Sequence, residues 1–138
     1  MAVDCPTGVI SYTTVDEIVI NGQACVIYEV VVQGKVQVTG SPELTMTDVD
    51  VGTTVTVTGG GSANVLRVDT LGGDVSINGN KTAVVAGNVV RGNLTVNNNT
   101  VGAVVQQNAV FGNLTCTGNT ELDEFGNRQA GTENCKKE

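Results

Sequence analysis

Side chains that can do acid, base or metal chemistry are few in this sequence, and histidine is absent from its 138 residues. A Ser-His-Asp or Cys-His arrangement is therefore impossible, because both depend on the imidazole as general base. Two carboxyl groups that flank a glycosidic bond can also hydrolyse it. The candidate pairs are Asp48 with Asp50, Asp69 with Asp74, and Asp123 with Glu124. On a chain of net charge −7 such pairs are typical of a solvated surface, so we predict that the protein is not an enzyme.

Calcium binding is a second chemistry open to Asp48 and Asp50, since this ion takes carboxylate and carbonyl oxygens. The surrounding sequence TDVDVG (47–52) lacks the spacing and the glycine of an EF-hand loop. We therefore predict no cofactor and no metal site, and calcium at these two residues is kept as an alternative.

The four cysteines lie in two groups, Cys5 and Cys25 near one end and Cys116 and Cys135 near the other. An even number of cysteines in a small chain is typical of disulfides and of an oxidising compartment. A zinc site is the alternative, but it requires closely spaced thiolates or histidine, and the sequence has neither. The cysteines therefore predict a secreted protein with two disulfides.

The acidic balance excludes two classes of partner. Seven scattered Lys and Arg residues do not form the basic patch that nucleic acids or anionic membranes require. The longest apolar run, CVIYEVVV (25–32), contains Glu29 and is far shorter than the roughly 18 residues of a membrane-spanning helix. We expect neither a nucleic-acid partner nor membrane insertion.

A phrase that resembles GNLTV returns every 19 or 20 residues along most of the chain. Its copies are GKVQVTGS from Gly34, TTVTVTGG from Thr53, GDVSINGN from Gly73, GNLTVNNN from Gly92, GNLTCTGN from Gly112 and a degraded GTENCKKE from Gly131. DEIVINGQ (16–23) resembles a further copy that is shifted by about one residue. Each copy alternates apolar and polar residues, as a strand with one buried face does.

Repeats of this length predict an all-β fold, a right-handed parallel β-helix of about six coils. One unit of three short strands cannot bury its apolar face alone, but it does so when stacked on its neighbours. The period is too short for a β-propeller blade, lacks the leucine-rich repeat pattern and breaks the six-residue period of hexapeptide helices. We expect a single domain over 1–138, with an N-terminal cap at 1–25, coils at 26–118 and a C-terminal coil and cap at 119–138.

Stacking brings equivalent positions of successive coils into contact. The residues six before the first core position of a copy are Asp69, Asn88, Asn108 and Asn127. We predict that they form a ladder that satisfies the backbone of a turn. The residues four before the same position form an apolar column: Val32, Val51, Leu71, Val90 and Val110.

The repeat also predicts how the cysteines pair. Cys116 and Cys135 each lie four residues after the glycine that begins a copy, so they occupy one inward column on adjacent coils. Neighbouring strands lie about 4.8 Å apart, a separation that a disulfide accepts. By exclusion Cys5 pairs with Cys25. Such clamps at both ends favour a monomer over a self-assembling rod.

The segments INGQACVIYEVVVQGKVQV (20–38) and GNLTCTGNT…GNRQAGTENC resemble a group of small secreted bacterial proteins that are common in actinobacteria. Those proteins carry a G-x-x-C near the start, several T-V-x-G-N-V units, then G-N-L-x-C-x-G-N and a terminal Cys. The matching residues are Gly22, Cys25, Gly92, Asn93, Gly112, Asn113, Cys116, Gly118, Asn119 and Cys135. The resemblance covers most of 16–135, but it leaves out the segment with Cys5 and is weaker at Thr53 and Gly73. It implies an extracellular protein of uncharacterised function and supplies no catalytic residue.

The outward positions of the copies are rich in threonine and asparagine, residue types that also suit outward strand and turn positions. Thr-x-Thr arrays can match ice, but Gln37, Ser76, Asn78 and Asn97 interrupt the array here. We expect a non-enzymatic structural or surface-interaction module, with an extracellular polysaccharide as a candidate partner. The alternatives are a carbohydrate-binding or carbohydrate-active domain and a self-assembling rod. The few aromatic residues (Tyr12, Tyr28, Phe111 and Phe125) do not share one column, which weakens the carbohydrate alternative.

Peptide mapping of the non-reduced protein tests the repeat alignment directly. We expect a Cys116–Cys135 peptide pair and a Cys5–Cys25 pair, because the alignment places the first two in one column. A Cys25–Cys116 or Cys5–Cys135 pair would break the alignment of the whole chain.

Overall fold

The computed structural model describes residues 2–70 and 72–135, which form 19 β-strands and contain no helix. The strands are β1 Ala2–Val3, β2 Val9–Val15, β3 Glu17–Asn21, β4 Cys25–Val32, β5 Val36–Thr39, β6 Glu43–Val51, β7 Val55–Thr58, β8 Ser62–Leu66, β9 Asp69–Thr70, β10 Val75–Asn78, β11 Thr82–Ala86, β12 Val89–Val90, β13 Leu94–Asn97, β14 Gly102–Gln106, β15 Ala109–Val110, β16 Leu114–Cys116, β17 Leu122–Phe125, β18 Arg128–Gln129 and β19 Glu133–Cys135. Every pairing between them is parallel. The predicted parallel β-helix is therefore confirmed.

Each complete turn of the helix presents three faces. Face A is the eight-stranded sheet β1-β3-β5-β7-β10-β13-β16-β19. Face B consists of β8, β11, β14, β17 and the first halves of β2, β4 and β6, and face C consists of β9, β12, β15, β18 and the second halves of those three strands. A side chain that points inward on any face meets the equivalent side chain of the next turn.

The stack has about seven turns rather than about six. The difference lies at 1–25, which was predicted as a cap, because β1 pairs with β3 and β2 pairs with β4 in the same register as the later turns. The copy at 16–23 is also confirmed. Ile18 and Ile20 pair with Val36 and Val38, which makes this turn one residue shorter than the 19-residue repeat.

The core is built from the alternating residues of the repeats. The inward positions of face A are almost fully buried: Val36, Val55, Val75, Leu94 and Leu114 in one column and Val38, Val57, Ile77, Val96 and Cys116 in the other. β-branched residues suit these positions because their stiff side chains pack well on a pleated surface. Aromatic residues, which make up 3% of the chain, do not occur among the buried hydrophobic residues.

The corner between faces B and C is a column of residues in the left-handed backbone conformation. Its members are Tyr12, Glu29, Asp48, Arg67, Gly87, Gln107 and Gly126, with φ between 51° and 72°. Five of the seven carry a side chain, although L-residues adopt this region at a cost of roughly 1–2 kcal/mol. Stacking offsets that cost because it supplies backbone partners, as where the Gln107 N–H donates to the Phe125 carbonyl at 3.0 Å.

The third repeat contains an extra residue that shifts two predicted columns. Thr70, not Leu71, is in register with Val51 and Val90, and its side chain is fully buried. Leu71 itself lies outside the described residues. The extra residue therefore falls between Thr70 and Val75, where the neighbouring turns have one residue fewer.

Replacement of Gln107 by glycine tests the strain at this corner. We expect Gln107→Gly to leave the free energy of unfolding unchanged or to raise it by up to about 1 kcal/mol, because glycine adopts positive φ without steric cost. The matched control Gln106→Gly lies in β14 and should lower it by about 0.5–1 kcal/mol. Urea unfolding measures both, and equal destabilisation by the two variants would contradict a strained corner.

Candidate functional site

The outward residues of face A between β5 and β16 are all uncharged, and we call this surface the uncharged face. It comprises Gln37, Thr39, Thr56, Thr58, Ser76, Asn78, Thr95, Asn97, Thr115 and, directly after β16, Thr117. Strand pairing sets them in two columns, in which equivalent side chains repeat at about the 4.8 Å strand spacing. The chain carries 14 Asp and Glu residues, yet none occurs among these positions.

Hydrogen bonds within the uncharged face orient its amide groups. The Asn78 amide donates to the Ser76 hydroxyl at 2.9 Å, and the Asn97 side-chain oxygen accepts from the Thr117 N–H at 2.9 Å. The Thr117 hydroxyl also donates to this oxygen, at 3.2 Å in the structure. The surface is thus an ordered array of uncharged hydroxyl and amide groups.

The threonines singled out in the sequence lie together on this array. Thr56 and Thr58 stand on β7, Thr95 stands on β13, and Thr115 is next to it on β16. Asn78 and Asn97 separate the threonines of the second column, as the sequence indicates. The array is therefore mixed rather than a lattice of one residue type.

A ladder of buried amides runs through the other side of the molecule at Asn88, Asn108 and Asn127. The Asn88 Nδ2 donates to the Asn108 Oδ1 at 2.9 Å, and the Asn108 Nδ2 donates to the Asn127 Oδ1 at 2.8 Å. Each oxygen also accepts a backbone N–H of the preceding turn, as where Asn88 N–H donates to Asn108 at 3.0 Å. This part of the predicted ladder is confirmed, and its contacts are structural.

The prediction that Asp69 belongs to this ladder is wrong. Asp69 is in register with Val89 and points outward on face C, so the residue in line with Asn88 is Val68. The Val68 N–H donates to the Asn88 Oδ1 at 2.7 Å and begins the ladder. The extra residue of the third repeat lies after Thr70. The prediction counted six residues back from Val75 and so reached Asp69 instead of Val68.

A second buried ladder was not anticipated from the sequence. Asn80, Asn99 and Asn119 are each almost fully buried, and the Asn99 Nδ2 donates to the Asn119 Oδ1 at 2.8 Å. The Asn80 N–H donates to the Asn99 Oδ1 at 3.1 Å. The signal was present, because each asparagine lies three residues after the second core position of its copy.

The acidic candidates take part in separate contacts. Arg67 donates to both carboxylate oxygens of Asp48, at 2.8 and 3.2 Å, and this hydrogen bonding holds the pKa of Asp48 below its ordinary value. The Asp69 carboxylate lies 3.7 Å from the Arg91 guanidinium. Asp74 lies directly before β10 and accepts the Asn93 N–H at 2.7 Å.

None of the contacts described for these residues joins the two members of a predicted pair. Asp48 is engaged by Arg67, so it is not held ready for calcium together with Asp50. Asp123 receives a long hydrogen bond of 3.4 Å from Gln106, and Glu124 accepts from Asn127 at 2.9 Å. Within 2–70 and 72–135 there is no group of three or more Cys, Asp or Glu residues placed to hold a metal ion.

An open groove of about 470 Å³ lies on face B. It exists because Gly102 carries no side chain where the adjacent turns carry Thr82 and Glu121. Val84, Val101 and Val104 line it, and no aromatic side chain is among its lining residues. The groove therefore lacks the ring surface on which a sugar would stack.

Both predicted disulfides are present in the structure. Cys5 is bonded to Cys25 with their Cα atoms 6.0 Å apart, and Cys116 is bonded to Cys135 with a Cα separation of 4.4 Å. Cys116 and Cys135 are also a register pair of β16 and β19, as the repeat alignment requires. No free thiol remains for nucleophilic or redox chemistry.

Comparison with protein-family models, with curated proteins and with solved structures finds no match to this chain. The resemblance to small secreted bacterial proteins therefore stays a prediction. Over the described ranges the structure contains no helix with the length and apolar character needed to cross a membrane.

Replacement of Asn108 by valine tests whether the buried ladder is structural. Asn108→Val preserves approximate size but leaves the Asn88 N–H and the Val85 carbonyl without partners. Each unsatisfied buried group costs about 1–3 kcal/mol, so we expect a loss of about 2–4 kcal/mol in the free energy of unfolding. Asn113 provides the control, because it is exposed and its Oδ1 accepts the Thr132 N–H of the next turn at 2.9 Å. Asn113→Val should cost less than about 1 kcal/mol. Equal losses in urea unfolding would contradict the assignment.

Proposed function

We propose that this protein is an extracellular, non-enzymatic β-helix that adsorbs through its uncharged face to a neutral polysaccharide surface. The observation that carries the proposal is the absence of charge from the outward positions of β5 to β16 in a chain of net charge −7. The remaining surface carries the acidic residues and keeps the protein soluble by mutual repulsion.

Neutral hydroxyl and amide groups suit a partner with the same chemistry. Desolvating them costs less than desolvating charges, and each can donate and accept hydrogen bonds with a sugar hydroxyl. The two columns repeat along the helix, so a polymer with repeating hydroxyl groups could make many weak contacts at once. Such multivalent contact raises the overall affinity without any single strong interaction.

The absence of ring stacking determines the kind of polysaccharide binding that we propose. The uncharged face contains no aromatic residue, so hydrogen bonding to an extended polymer surface supports the proposal better than capture of one sugar in a pocket. The groove beside Gly102 offers no aromatic wall either. Adsorption to an insoluble polymer is therefore the activity to measure.

Three observations support a non-enzymatic role. The chain has no histidine, and all four cysteines are in disulfides. At least one residue of each predicted acidic pair has its own partner: Asp48 and Asp69 lie beside arginines, and Glu124 accepts a hydrogen bond from Asn127.

The disulfides also indicate where the protein works. Disulfides persist in oxidising, non-cytoplasmic environments. We infer that the protein is secreted and belongs with the small secreted bacterial proteins that its GNL-x-C-x-GN ending resembles.

An adsorption isotherm on insoluble cellulose and on insoluble chitin tests the proposal. We expect the native protein to bind at least one of them and Thr95→Lys to bind at least about tenfold more weakly, because a desolvated charge would lie in the contact. Thr45→Lys is the matched control, since Thr45 is a half-buried outward threonine of face B. It changes the net charge equally and should bind as the native protein does.

Equal binding by the two lysine variants, or no adsorption of the native protein to either polymer, would overturn the proposal. Thermal hysteresis of ice growth that Thr95→Lys abolishes, without any polysaccharide binding, would assign the same face to ice instead.

A further inference from the structure

The two ends of the β-helix are finished differently, and the C-terminal end is polar. The inner columns of its last turn end in Glu124, Gln129 and Glu133, which are in register with Val105, Val110 and Leu114. Charged residues at inward positions protect a terminal strand against pairing with another chain. The Cys116–Cys135 disulfide fastens the same turn to the body. This end is therefore capped.

At the N-terminal end, the described residues place Val3, Ile10 and Val15, and no charged residue, in line with the buried residues of the next turn. β2 runs over seven residues, VISYTTV, without a charge or a proline, and in the described part of the chain it pairs only with β4. Within residues 2–70 and 72–135, no strand pairs with its other edge. Long edge strands of high β-propensity without charge are the ones that pair with other chains.

Apolar residues at this end are only partly covered. Val3, Ile10 and Val15 occupy inner columns but keep part of their surface exposed. One turn further in, the residues in register with them are almost fully buried: Ile18, Ile27 and Val32. The Cys5–Cys25 disulfide ties the first turn down without covering the outer edge of β2.

We propose that the N-terminal end of one molecule docks on the N-terminal end of a second copy, with β2 antiparallel to β2 of that copy. This arrangement places apolar columns on apolar columns and pairs the free edges. Docking on the C-terminal end of another copy would instead bury Glu124 and Glu133 against apolar residues, which is costly without a charged partner. A two-fold arrangement closes on itself and forms a dimer rather than a filament.

The dimer has a consequence for the uncharged face. Tyr12 lies at the corner between faces B and C. In the proposed dimer the two-fold axis passes through this corner, at right angles to the axis of the β-helix. Face B of one copy therefore lies on face C of the other. Face A then stacks on face A, and the two uncharged faces become one longer surface. This consequence rests on the proposed function, whereas the dimer itself does not.

Charge at the N-terminal end predicts how the dimer responds to salt. Asp4 and Asp16 are exposed there, and a head-to-head dimer brings the acidic residues of two copies towards each other. Salt screens that repulsion. The dimer should therefore become tighter as the salt concentration rises, the reverse of an association based on opposite charges.

Sedimentation equilibrium of the disulfide-bonded protein, from micromolar to millimolar concentration, tests the proposal. Thr13→Lys is the informative variant, because Thr13 is exposed in the monomer yet occupies an inner column that the dimer would close. Thr132→Lys at the opposite end is the control, since Thr132 is also exposed. We expect a monomer–dimer equilibrium for the native protein and the control, and at least about tenfold weaker dimerisation for Thr13→Lys.

Urea midpoints equal to that of the native protein would show that both variants fold. A native protein that stays monomeric throughout, a Thr13→Lys variant that dimerises like the control, or species that grow beyond the dimer would overturn the proposal. Dimerisation with failed polysaccharide adsorption would overturn only the proposed function.

Discussion

In-register stacking of parallel turns is the constraint on which the rest of this structure depends. Each turn has few large side chains and buries its residues only against the turn before and the turn after. The same stacking supplies backbone partners at the corners, where the Arg67 and Gln107 N–H groups donate to carbonyls of the following turn. Because identical positions meet, a residue type that suits one turn tends to suit the next. That relation explains the valine columns, the two asparagine ladders and the uncharged face together.

Stacking also determines which interactions the inside and the outside can support. A buried asparagine survives in the inner columns because its neighbour above and its neighbour below complete its hydrogen bonds, as for Asn108. On the outside, the same periodicity repeats hydroxyl and amide groups at the strand spacing. The ends are the exception, because a terminal turn has only one neighbour. The last turn has polar residues where it lacks a second neighbour, whereas the first turn has partly exposed apolar residues there.

The repeat spacing was sufficient to predict the fold class, the inward columns of face A and the Cys116–Cys135 pair, because all of these depend only on phase. The errors arose where the phase changes. One extra residue after Thr70 moved Asp69 out of the asparagine ladder and replaced Leu71 by Thr70 in an inner column. The strands within 1–15 also pair with the next turn, although no Gly-Asn phrase marks a copy there.

Native-state amide hydrogen exchange tests the stacking account most directly. In the ladder of Asn88, Asn108 and Asn127, the backbone N–H groups of Val68, Asn88 and Asn108 donate to asparagine side chains of the next turn rather than to its backbone. If the stack is one cooperative unit, these three should exchange as slowly as the strand amides of the middle turns, through global unfolding. Fast exchange at these three groups beside protected strands would show that the ladders do not hold the turns together, and it would contradict the account.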